Sequence, residues 1–198
     1  MDLLAPYGQY WFVTITSYGK DIEPNVPEKE TVMDGFRELS GMVGIDSVCW
    51  RYDPILISDV YSAERVEIGK AFAEIGCRYG MTVKACAEGN DLAPYGIDCS
   101  GCMTVETYEQ ALHCRLDVPK RKPVRRECAC YLANDIGAYD TCGHLCRYCY
   151  ANANASAVRQ NMKLHNPESP FLIGESHPDD QIHEAKQESC IERQLSLF

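Results

Sequence analysis

Tyr10-Trp11-Phe12-Val13-Thr14-Ile15 is the stretch on which the fold turns. Every residue in it is aromatic or β-branched, and no glycine or proline interrupts it, so it reads as a buried strand. Two further runs without glycine or proline, Ser47-Val48-Cys49-Trp50-Arg51 and Met81-Thr82-Val83-Lys84-Ala85-Cys86, read as a second and a third strand. Helical periodicity fills the intervals. Val32, Phe36 and Leu39 mark a first helix, with Pro27 at its mouth and Gly41 and Gly44 at its stop. Ser62 is placed to cap a second, whose stripe is Ile68, Phe72, Ile75 and Tyr79 before Gly80. The strand centres near 12, 48 and 83 recur about every 35 residues, the spacing of a βαβαβ run with a parallel sheet.

Right-handed crossovers put the C-terminal ends of parallel strands on one rim, where α/β folds keep their chemistry. The loops expected there are Thr16-Ser-Tyr-Gly-Lys20-Asp21, Arg51-Tyr52-Asp53-Pro54 and Cys86-Ala87-Glu88-Gly89. Arg51, Asp53 and Glu88 are the candidate ligand-binding groups of that rim; salt bridges between neighbouring loops account for the same residues equally well. Beyond residue 90 the apolar pattern weakens. A short helix is expected at Val105–Leu112 with Thr104 as cap, and another from the Ala151-Asn-Ala-Asn-Ala-Ser156 run to Met162. The prolines at 167, 170 and 178 make the next segment extended, and Glu184–Phe198 reads as a tail.

At 198 residues the chain has room for one well-buried domain and a tail, and is short for a complete eight-unit α/β barrel. A net charge of −10 argues against general affinity for nucleic acid. The run Lys120-Arg121-Lys122-Pro123-Val124-Arg125-Arg126 is the local exception, a solvated linker or a contact for an anionic group. The N-terminus lacks a basic segment ahead of a long apolar stretch, which gives a cytoplasmic expectation. In that reducing setting the 12 cysteines read as metal ligands or redox groups rather than as a disulfide framework. Cys49 and Cys77 read as small core residues.

Cys142, Cys146 and Cys149 form a C-x3-C-x2-C run with Tyr148 before the last cysteine. Three thiolates on one tight loop suit iron–sulfur clusters or zinc. Held by three cysteines, a four-iron–four-sulfur cube keeps one iron open to a small molecule. The alternative is a four-ligand zinc knot completed by Cys128, Cys130 or His144. Cys86, Cys99, Cys102, Cys114, Cys128 and Cys130 are left to supply a second metal site, with Cys99 and Cys102 a C-x2-C pair.

The triplet with its aromatic resembles the signature of the radical S-adenosylmethionine enzymes. That resemblance implies a 4Fe-4S cluster, S-adenosyl-L-methionine on its open iron, and hydrogen abstraction from a substrate. It also implies a role for Arg51, Asp53 and Glu88 in holding the cofactor's carboxylate, ribose or amine. Tyr18-Gly-Lys-Asp-Ile-Glu-Pro-Asn-Val-Pro27, Trp50-Arg-Tyr-Asp-Pro-Ile55, Cys86-Ala-Glu88, Asp135-Ile-Gly-Ala-Tyr-Asp-Thr-Cys142 and Cys149-Tyr-Ala-Asn152 together resemble the domain of unknown function 1848 family. Family members resemble α/β barrels with the radical-type cysteine motif late in the chain. Set against that pattern, this chain is expected to lack the family's first strand-and-loop region, and a helix and strand between the Asp-Pro-Ile loop and Met81. The expected fold is therefore α/β: a partial, barrel-like parallel sheet over 1–90, a cysteine-rich cluster-binding region over 91–162, and an extended tail over 163–198.

The last residues, Gln194-Leu195-Ser196-Leu197-Phe198, resemble the pentapeptide that binds the bacterial sliding clamp. Leu195, Leu197 and Phe198 would enter an apolar groove while Gln194 bonds at its edge. Three functions stay open at this point: a radical-type enzyme, linked by its tail to DNA metabolism; an iron–sulfur redox or sensor protein without catalysis; and a zinc-stabilised binding module.

Overall fold

The computed structural model describes residues 4–56, 59, 65–86, 89–120, 129–131, 136–183 and 188–192. Four helices and two strands alternate in a mixed α/β arrangement: β1 (Trp11–Thr14), α1 (Lys29–Val43), β2 (Val48–Arg51), α2 (Arg65–Tyr79), α3 (Val105–Leu112) and α4 (Ala155–Leu164). β1 and β2 pair in parallel, with Trp11 opposite Val48 and Thr14 opposite Arg51. The connection between them carries α1, as a parallel pair requires.

The third strand expected at Met81–Cys86 does not form. Its main chain pairs instead with the segment around Asp98, where Ala85 N–H donates to the Asp98 carbonyl at 2.9 Å and Asp98 N–H to Val83 at 2.9 Å. The result is one isolated bridge, Lys84 to Asp98. The β-branched pattern was read correctly as extended backbone, but a sequence run does not name its partner.

The apolar stripe of α2 is only partly covered: Ile68 and Phe72 are half-buried, while its C-terminal part is not. Ile75 is 44% exposed and Tyr79 70% exposed. The buried line runs through Gly69 and Gly76, with Phe72 between them in edge-on contact with Trp50 at 5.2 Å. A Cβ at Gly69 would stand 3.0 Å from Leu92, and one at Gly76 only 2.5 Å from Val83. The missing side chains therefore let Leu92 and Val83 approach the helix closely, which bulkier neighbours would prevent. The Ser62 cap lies outside the described residues.

α3 starts where expected. Thr104 Oγ1 accepts from Thr107 N–H at 3.2 Å, and His113 closes the helix in the left-handed region. α4 begins at Ala155, with Asn154 Oδ1 accepting from Ala157 N–H at 2.8 Å. No helix among the described residues is long and apolar enough to cross a membrane.

The chain groups into two compact units, each assembled from separated stretches: Met1–Thr14, Phe36–Ala133 and Ser189–Phe198 in the first, Ile15–Gly35 and Asn134–Glu188 in the second. Leu92, Ile97, Ala111 and Cys130 are buried in the first. In the second the buried groups are Tyr18, Val158 (1% exposed) and the polar pair Thr16 and Glu23.

Candidate metal centres

The cysteine triplet belongs to the second unit, on the loop between Asp140 and α4. Two segments distant in sequence are joined there by main-chain bonds. Arg147 N–H donates to the Ile22 carbonyl at 2.9 Å, and Asn25 N–H to the His144 carbonyl at 3.3 Å. Asn25 Nδ2 adds a bond to the Gly143 carbonyl at 2.9 Å. Leu145 takes a left-handed φ of 53°, turning the chain between Cys142 and Cys146. From the far side, Asn152 Nδ2 donates to the Cys142 carbonyl at 2.9 Å.

Beneath this loop sits a buried carboxylate. Glu23 is 3% exposed, and its Oε1 accepts from Thr16 Oγ1 at 2.7 Å and from the Tyr148 hydroxyl, while Lys29 pairs with its Oε2. Burial alone would raise the Glu23 carboxyl. The bonds from Lys29, Tyr148 and Thr16 outweigh it and hold the group below its ordinary value. The charge has consequences for its neighbours. Burial, then the bond to Glu23, pushes the Tyr148 hydroxyl up, so it stays a donor. Burial raises the Cys146 thiol too, and nearby Glu23, Cys142 and Cys149 add to the rise against a lowering contact from Tyr148.

A second sulfur group lies in the first unit. Cys130 Sγ is 3.6 Å from Cys86 Sγ and 3.5 Å from Cys102 Sγ, and all three sulfurs lie within 4.8 Å of one another. Burial and the two neighbouring thiols drive the Cys102 thiol well above its ordinary value. Three thiols this close could bind a metal, which would take the place of the protons. This is the one such group of three among the described residues. All the described cysteines are free of disulfides.

The candidates of the rim are placed as follows. Arg51 ends β2 and its Nε donates to Thr14 Oγ1 at 3.2 Å. Asp53 is exposed two residues further on. Glu88, Cys128, Gln194, Leu195, Leu197 and Phe198 lie outside the described residues, as does most of the Lys120–Arg126 run. Cys130, named as a completing ligand of the triplet or as part of a second site, stands with Cys86 and Cys102. Sequence reasoning gave no role to Glu23. Its signal was weak: one acidic residue before Pro24, indistinguishable from a loop carboxylate until its three donors were seen.

A family model matches the chain in two segments, residues 1–68 and 59–151: domain of unknown function (DUF1848). Together they reach across the first 151 of 198 residues, and the chain belongs to that family. No curated protein and no solved structure matches it.

Proposed function

Starting from that membership, we propose that the chain is an iron–sulfur protein of radical S-adenosylmethionine type, its cluster held by Cys142, Cys146 and Cys149. One observation carries the reading: three free thiols share a loop whose main chain is fixed to residues 22–25 rather than left to solvent. The fit to a cube is chemical. Three thiolates on one short loop supply the soft ligands that such a cluster needs. Bound there, such a cluster supplies one electron to a ligand on its open iron.

The protein's own residues have distinct parts. Glu23 holds Tyr148, Thr16 and Lys29 in place beneath the loop, a positioning role, since it touches no reacting atom. The parallel β1–α1–β2 unit is, on this reading, a piece of a βα barrel. Gln194, Leu195, Leu197 and Phe198 recruit the protein to a bacterial sliding clamp in the cytoplasm.

Anaerobic purification tests the core of the proposal. The expected result is brown protein with about four irons and four acid-labile sulfides per chain, colourless once Cys142, Cys146 and Cys149 are all replaced by serine. With dithionite, the parent should cleave S-adenosylmethionine to 5′-deoxyadenosine. Iron and sulfide without cleavage would leave the redox or sensor function standing and remove the enzyme.

A further inference from the structure

We propose that Cys86, Cys102 and Cys130 form a mononuclear zinc site, separate in kind from the triplet. Tetrahedral zinc with Zn–S bonds of about 2.3 Å sets its sulfurs roughly 3.8 Å apart. The separations of 3.5 and 3.6 Å about Cys130 match that edge, and the third pair stays within 4.8 Å. Four irons do not fit among sulfurs so near one another. A disulfide would satisfy only two of the three and needs the sulfurs at about 2.05 Å. Soft thiolates in a tetrahedral arrangement select zinc among the common divalent ions.

The three ligands come from segments that have little else to hold them. Cys86 ends the stretch whose one bridge is Lys84 to Asp98. Cys102 sits on a turn through Gly101 at φ 121°, where a Cβ would press on Thr104 at 3.3 Å and Ala129 at 3.6 Å. Cys130 is buried, and next to it Tyr131 N–H donates to the Met103 carbonyl at 2.7 Å. A metal bound to all three ties these segments together, as structural zinc does in loop-rich domains. Tyr10 and Tyr108 meet edge to face at 6.0 Å within the same unit. Three thiolates leave the fourth position of the ion to a further donor or to water.

The test uses the full chain. With Cys142, Cys146 and Cys149 replaced by serine, so that the triplet cannot contribute, elemental analysis should find about one zinc per chain in a sulfur-rich shell. Adding Cys86→Ser, Cys102→Ser and Cys130→Ser should abolish it. A second measurement on the unmutated chain does not depend on the folding of variants. Zinc should slow alkylation of Cys86, Cys102 and Cys130 by about tenfold or more, and a chelator should restore it. Exposed Cys77 and Cys190 serve as unchanged internal standards. No zinc in the triplet variant, iron with sulfide at these three cysteines, or alkylation unaffected by zinc would each overturn the site. Because the triplet is absent from the first arm, its result stands apart from the fate of the iron–sulfur proposal.

Discussion

The two sulfur groups are built in opposite ways. Cys142, Cys146 and Cys149 come from eight consecutive residues, and the fold contributes a platform of main-chain bonds and one buried carboxylate. Cys86, Cys102 and Cys130 come from segments 16 and 28 residues apart, and nothing but tertiary structure brings their sulfurs to within 4.8 Å. The first group is fixed by local spacing and supported from below. The second is itself a support, since its members anchor stretches with little secondary structure. Proximity in sequence and proximity of sulfur atoms thus point to different sites in one chain.

Removing the platform should separate the two most sharply. Glu23→Ala leaves the Lys29 amine and two hydroxyls without their acceptor in a buried setting, at a cost of about 3 kcal/mol by urea denaturation. Zinc content should be unchanged. Glu23→Gln keeps the hydrogen-bonding shape and should lose about half as much. Equal stability of Glu23→Ala and the parent would show that the triplet loop does not rely on this carboxylate.

The other region is probed by adding volume. Gly76→Ala sets a methyl 2.5 Å from Val83 Cγ2 and 3.1 Å from the Met81 carbonyl, so α2 and the segment leading to Cys86 must move apart. Overpacking of this kind should cost about 2 kcal/mol and weaken zinc retention while leaving iron content intact. A stabilised variant would mean that the helix and the Cys86 segment are not in register. Smallest in effect, Thr104→Ala deletes the side-chain cap of α3, two residues after Cys102. A loss of about 1 kcal/mol is expected, readable as a lower midpoint in thermal unfolding. No change would mean that the α3 terminus is held by the neighbouring turn alone.

How much of this was legible beforehand depends on whether the signal was local. α3 and its Thr104 cap could be read because the cap and the eight-residue helix it starts are adjacent in sequence. The β1–β2 pairing followed from the aromatic and β-branched run at Tyr10–Ile15 and a second breaker-free run at the separation of a parallel crossover. The stripe of α2 holds at Ile68 and Phe72 and fails at Ile75 and Tyr79, because the tightest contacts of the helix are made at Gly69 and Gly76, which no apolar pattern advertises. Met81–Cys86 was correctly seen as extended and wrongly given a place in the sheet, since the choice of partner is a long-range decision. The same holds for the sites. The triplet announces itself by spacing, while Glu23 and the Cys86–Cys102–Cys130 group acquire meaning only from atoms brought together by folding.

The joint between residues 22–25 and 143–147 has a further consequence. Two of its three hydrogen bonds run from backbone to backbone, and the third uses the short Asn25 amide on a carbonyl. None draws on the imidazole of His144 or the guanidinium of Arg147. Substitution at those two positions can therefore alter what the thiol loop offers to an incoming molecule without loosening its attachment, leaving recognition free to vary over an unchanged backbone seam.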